Sequence, residues 1–166
     1  MRVRFPSCST CLPKKNSSLH FPLPRKNKTH SAPLHYQFPY VKFHGKYYPL
    51  IPLTLSRAGR AVSTFALIDS GASISVFRPE IADALRLSKK DRENFSLSTA
   101  DGRLGIGVAK IGIAIEETRF SAKIGFSDTT AASFNILGRE NIFSRFSICF
   151  NEIMKTVILV PLESVK

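Results

Sequence analysis

A mostly β, barrel-like domain with one or two short helices is the fold this sequence predicts, and three observations predict it. Short apolar stretches recur from about residue 47 to residue 160, each too brief for an ordinary helix. Turn signals separate them: Arg57-Ala58-Gly59-Arg60, Asp101-Gly102 and Asn151-Glu152. Convincing helical spacing occurs once in the first half, after Pro79, where Ile81, Ala84, Leu85 and Leu87 would form the apolar side.

Each element can be justified in turn. Tyr47 to Leu55 is apolar and aromatic, but Pro49 and Pro52 confine a strand there to an edge or a bulge. Ala61 to Ile68 is the next strand and makes a hairpin leading into Asp69. Phe95 to Thr99 alternates, Asp101-Gly102 turns, and after Gly105 and Gly107 the stretch Val108 to Ile115 alternates again. Phe120 to Phe126 is a further strand, and Phe134 to Gly138 a short apolar one ending in glycine. Arg139 to Phe146 reads as one or two helical turns with Ile142, Phe143 and Phe146 inward. Ser147 to Phe150 and Thr156 to Val160 close the chain as a hairpin, in which Cys149 would be a small core residue.

The chain has 166 residues, 43% of them hydrophobic, which suits one domain with a proper core. No run of 18 apolar residues is present, so a transmembrane helix and a membrane partner are not expected. No ordinary secretory signal is visible. Three cysteines are too few for a disulfide framework, and a reducing, cytoplasmic setting follows.

The net charge of +12 is unevenly spread. Residues 1–68 hold 11 Lys and Arg and no acid, Asp69 being the first. The expected division is a disordered, basic, proline-punctuated leader over 1–37 and a folded domain over 38–166. Such a leader is ordinarily a solvated tail. It could also bind nucleic acid. Its composition suits an organelle transit peptide, although its prolines oppose the helix such peptides form.

The chemistry centres on Phe65-Ala66-Leu67-Ile68-Asp69-Ser70-Gly71-Ala72-Ser73, an apolar run ending in an acid, a hydroxyl and a glycine. A carboxylate at the end of a buried strand is costly unless something is gained from it. A lone carboxylate is ionised at neutral pH and is a poor base. Two carboxylates about 3 Å apart share one proton and can activate a water between them. That site needs two copies of the turn, and the chain contains one. Asp128-Thr129-Thr130 lacks the glycine and reads as a surface turn. Taken alone, Asp69-Ser70-Gly71 could be no more than a strand end.

A second motif lies about 70 residues on: Asn135-Ile136-Leu137-Gly138-Arg139, again an apolar strand running into glycine. With Ala66 to Ala72 and the glycine-rich hairpin between, this order resembles the retropepsin family of aspartic proteases over about residues 40–162. The resemblance implies a closed β-barrel-like acid protease fold and a homodimer in which each chain supplies Asp69 as the catalytic aspartate. Ser70, Gly71 and Ala72 would support the site. Ala100, Asp101, Gly102, Arg103, Leu104 and Gly105 would form a flap over an extended peptide or protein substrate. Ile136, Leu137, Gly138 and Arg139 would be the second structural motif. Glu140 departs from the Asp or Asn that often follows Gly-Arg in the family. Asp101 and Arg103 near the flap tip mean that substrate preference cannot be copied from viral enzymes.

The remaining signals are weak. Cys8-Ser9-Thr10-Cys11 is a lone CxxC, and His20 and His30 follow at spacings that fit no zinc finger. No metal and no cofactor is therefore expected. His35 and His44 belong to no recognisable motif, and the phenylalanines read as core. The alternative to an enzyme is a catalytically silent module of the same fold, used for dimerisation or peptide binding. Retention of the full Asp-Ser-Gly-Ala stretch speaks against it.

Overall fold

The computed structural model describes residues 35–99, 102–127 and 133–162. Twelve strands and two short helices are described: β1 (Tyr36–Pro39), β2 (Val41–Phe43), β3 (Lys46–Tyr48), β4 (Leu50–Arg57), β5 (Arg60–Ile68), β6 (Val76–Phe77), α1 (Pro79–Ala84), β7 (Glu93–Thr99), β8 (Gly102–Ile115), β9 (Thr118–Ser127), β10 (Asn135–Leu137), α2 (Arg139–Ile142), β11 (Phe146–Asn151) and β12 (Thr156–Pro161).

The main sheet runs β4-β5-β10-β6-β9-β8-β7, and an additional β4–β8 pairing closes its first six strands into a barrel. Closure removes the exposed edges that an open sheet would leave. The β4–β5 hairpin turns on Ala58 and Gly59, both at positive φ (48° and 76°), the two-residue geometry whose twist matches the flanking strands. Along β5, Ala66 and Ile68 are buried while Phe65 is exposed and Leu67 half-buried, the alternation of a strand with one face in the core.

The barrel is filled by Ile51, Leu55, Phe77, Ile111, Ile115, Ile124, Phe126 and Leu137, all essentially inaccessible to solvent. Each contributes roughly 1.5–3 kcal/mol of burial. A second, three-stranded sheet, β1-β12-β11, adds Val157, Leu159 and Phe146 to the same core.

The structure departs from the sequence expectations at several places. β1 pairs with β12 from Tyr36 onward, so Tyr36 and Gln37, counted with the leader in the sequence expectation, lie in a strand. Pro49 breaks the Tyr47–Leu55 stretch, leaving β3 to pair with β2 as a separate hairpin. In α1 it is Ala82 that is buried, not Ala84, while Leu85 and Leu87 turn inward beyond the helix. Arg139 to Phe146 is not a continuous helix. Glu140 (ψ 132°) and Asn141 (φ 68°) break it, and Phe146 already belongs to β11. Cys149 is exposed, because it lies on the outward side of an edge strand. Phe43, Phe65, Phe95 and Phe150 are likewise on the surface rather than in the core.

Candidate active site

Asp69 is the first residue after β5, in the interior of the barrel sheet. β5 runs parallel to β10, with Ala66, Leu67 and Ile68 opposite Asn135, Ile136 and Leu137. The two sequence motifs are therefore brought side by side. The Asp69 amide donates to the Leu137 carbonyl at 3.1 Å, continuing the ladder by one step.

The loop from Asp69 to Ser75 is tied to the second motif at further points. Arg139 N–H donates to the Ala72 carbonyl at 2.9 Å, and Glu140 N–H to the Ser73 carbonyl at 2.8 Å. Gly138 N–H donates to the hydroxyl of Ser75, which is 1% exposed, at 3.1 Å. The first N–H groups of a helix have no partner inside it. In α2 they are used to hold this loop. Asn135 clamps the other end: its amide nitrogen donates to Thr64 Oγ1 (3.0 Å) and the Phe65 carbonyl (2.9 Å), and its oxygen accepts from Arg78 N–H (3.0 Å).

The carboxylate is oriented from within the loop. Gly71 N–H donates to Asp69 Oδ1 at 2.8 Å, and Ala72 N–H to the Asp69 carbonyl at 3.3 Å. A β-carbon at residue 71 would lie 3.1 Å from Oδ1, closer than such contacts usually are. Oδ2 has no hydrogen-bond partner among the described residues. Asp69 is half-buried, and Ser70 beside it is exposed.

An apolar row lies next to this carboxylate. Leu67, Ile136 and Val76 sit directly beside one another across β5, β10 and β6, and all three are half-buried. By strand alternation Leu67 shares a face with Asp69. The row gives an apolar floor beside an acid, which suits substrate side chains flanking a reacting carbonyl.

The expected flap falls on the β7–β8 hairpin, paired from Glu93–Val108 out to Thr99–Gly102. Gly102 has φ 122°, a conformation that favours glycine. Arg103 and Leu104 lie in β8 opposite Ser98 and Leu97, and Gly105 is exposed. Ala100 and Asp101 lie outside the described residues, as do Asp128-Thr129-Thr130, Cys8, Cys11, His20 and His30. Arg139 is exposed, and its guanidinium meets no carboxylate among the described residues. Among those residues no set of three or more His, Cys, Asp or Glu side chains is placed to hold a metal ion, and no helix is long and apolar enough to cross a membrane.

Two solved structures share this architecture. A retropepsin-like aspartic protease from Rickettsia conorii superposes with a TM-score of 0.57, covering 77% of this chain and 92% of its own at 17% identity. The fold is the retropepsin fold. The EIAV protease, solved with a bound inhibitor, gives a TM-score of 0.50 over 63% of this chain and 93% of its own, at 15% identity. No family model matches the chain, and no curated protein matches it in sequence.

In this retropepsin fold the sequence motifs assign no role to Ser75 or Val76, and none to Leu67 beyond its strand. Ser75 follows Asp69 by six residues, and nothing in a run of serines marks the one that is buried. Val76 and Leu67 become visible only through the register that sets them beside Ile136.

Proposed function

We propose that this chain is an aspartic endopeptidase that works as a homodimer, with Asp69 of each copy at one shared site. The observation that carries this reading is the Asp69 carboxylate itself. One oxygen is held by Gly71 N–H and the other is open, on a loop fixed to β10 and α2. That is the preparation expected of a group that must hold a reacting water in place. Among the described residues no second acid or histidine bonds to Asp69, so acid–base chemistry requires a second carboxylate from elsewhere.

In the dimer two carboxylates would share one proton and hold a water between them. The ionised carboxylate removes a proton from the water as its oxygen attacks the scissile carbonyl. The protonated one donates to the carbonyl oxygen, giving a tetrahedral diol. In the collapse of the diol the ionised carboxylate takes a proton from one diol hydroxyl as the carbonyl re-forms and the C–N bond breaks, and the other carboxyl protonates the leaving amine, which restores a dyad with one shared proton. The β7–β8 hairpin would cover an extended peptide, pairing with its main chain while Leu67, Ile136 and Val76 receive apolar side chains.

The decisive experiment replaces Asp69 with Asn and measures hydrolysis of an unfolded protein substrate together with sedimentation velocity. Hydrolysis is expected to vanish while the association state stays the same. Full hydrolysis by the D69N protein would refute the proposal.

A further inference from the structure

The flank formed by β7, β8 and β9 carries lysines and an exposed ring to which the proteolytic reading assigns no role. Lys110 and Lys123 are directly opposite one another in the β8–β9 ladder. Like charges at directly opposed positions destabilise a sheet. Among the described residues Glu93 alone offsets them, reaching Lys123 at 3.6 Å. Asp91 is already bonded to Arg57 (2.9 Å) and Ser88 (2.6 Å). Lys90 and Lys110 meet no carboxylate among the described residues. Together with Arg92, these lysines line a concavity of about 300 Å³.

A second concavity of about 230 Å³ adjoins it, lined by Lys89, Asn94, Phe95 and the Gly105–Gly107 segment, with Arg92 again at its wall. The Arg92 side chain lies across Gly107, where a β-carbon would come within 2.8 Å of its Cδ. Arg92 thus divides the two hollows. Phe95 is 51% exposed, and the space over Gly105 is open, a β-carbon there meeting nothing within 4 Å.

The lysines and the exposed ring on their face point to one ligand chemistry. Lys90 and Lys110, which meet no carboxylate among the described residues, and Lys123, whose pair with Glu93 is exposed and long, attract phosphate. By the β7–β8 register Phe95 lies opposite Ile106, on the face of the sheet that also carries Lys110 and Lys123. Its exposed ring offers a flat group something to stack on, and every nucleobase presents such a face. An acidic peptide would use the lysines but would leave the ring without a purpose. We propose that this flank of β7–β8–β9 binds single-stranded nucleic acid, with phosphates in the hollow of Lys90, Lys110 and Lys123 and a base on Phe95.

The test uses the full-length protein, a fluorescein-labelled oligothymidylate and anisotropy titrations across a range of salt. K110E/K123E should weaken binding by about tenfold or more and reduce the log–log salt slope by about 1.4, the value for two lost phosphate contacts on a single strand. K110Q/K123Q should move both in the same direction by less, which guards against misfolding from charge reversal. Phe95→Ala should weaken binding by about tenfold and leave the salt slope unchanged, as for one lost stacking contact. Unchanged affinity in both lysine variants would overturn the proposal and assign any binding to the basic residues 1–37. An F95A protein that binds like wild type, or displacement of the oligonucleotide by polyglutamate at equal charge, would overturn the assignment to nucleic acid.

Discussion

Gly138 stands so close to Ile74 that a β-carbon on it would lie 2.4 Å from the Ile74 carbonyl carbon. The loop carrying Asp69 therefore rests against the glycine of the second motif, backbone to backbone. Gly138→Ala must push the two segments apart, stretching the Arg139–Ala72 and Glu140–Ser73 hydrogen bonds. Overpacking of this kind costs about 1–3 kcal/mol. The guanidinium midpoint should fall with an unchanged m value. Peptide hydrolysis at low denaturant should fall further than the loss of folded protein explains, because the displaced loop holds the carboxylate. A midpoint equal to wild type would mean that the contact yields freely.

Asn135 offers a second test of the same scaffold. It is buried, and its amide group makes three hydrogen bonds that join β10 to β5 and to the residue before α1. Asn135→Ala leaves the Phe65 carbonyl and the Arg78 N–H without these partners. An unsatisfied buried polar group costs about 1–3 kcal/mol, so a total loss of about 2–4 kcal/mol is expected. Asn135→Asp keeps the acceptor for Arg78 N–H but loses the donor, and should fall between. Equal stability of all three proteins in urea titrations would contradict the role assigned to this side chain.

Much of this was legible in the chain. Leu67-Ile68-Asp69 and Ile136-Leu137-Gly138 announced themselves as apolar strands ending at special residues, because burial and backbone freedom both leave local marks. The closed barrel followed from many short strands with turn signals. Other features left no such mark. β2–β3 owes its separate existence to Pro49, which interrupts an otherwise continuous apolar stretch. The break in α2 comes from Asn141 at φ 68° and from N–H groups committed to the Asp69 loop, a tertiary demand that overrides helical spacing. Cys149 sits in an apolar strand, and nothing local to it marks β11 as an edge. Exposure of Phe65 and Phe95 was hidden for the same reason: composition reports how many apolar groups there are, not which face each one takes.

If each site takes one Asp69 from each of two chains, mixed populations must behave nonlinearly. Wild-type and D69N proteins, unfolded together in equal amounts and refolded, should pair at random. Only about one quarter of the dimers then hold two native carboxylates, so hydrolysis should drop to about half of that from the wild-type chains folded alone. A chain acting by itself would show no drop. Titrating the D69N fraction separates a quadratic decline from a linear one without any structural information about the interface.

The turn between β11 and β12 is pinned by a pair that should fail at both ends of the pH scale. The Tyr40 hydroxyl donates to Glu152 Oε1 at 2.8 Å, and Lys155 Nζ reaches Glu152 Oε2 at 3.0 Å. Burial, together with the carboxylate, pushes the Tyr40 hydroxyl up to about 12 from its ordinary 10.0. A folded value above the unfolded one means that the stabilisation is complete below about pH 10 and is lost as pH rises toward about 12. Glu152 is held below its ordinary 4.5 by the hydrogen bonds from Lys155 and then Tyr40. Its contribution is present above that value and is lost as pH falls beneath it. Tyr40→Phe removes the hydroxyl at a cost of about 1 kcal/mol at neutral pH. Melting temperatures of the two proteins should differ by a constant amount from pH 6 to pH 9 and converge near pH 12. If the gap instead persists at that alkaline limit, the loss belongs to packing around the ring and not to ionisation of the hydroxyl.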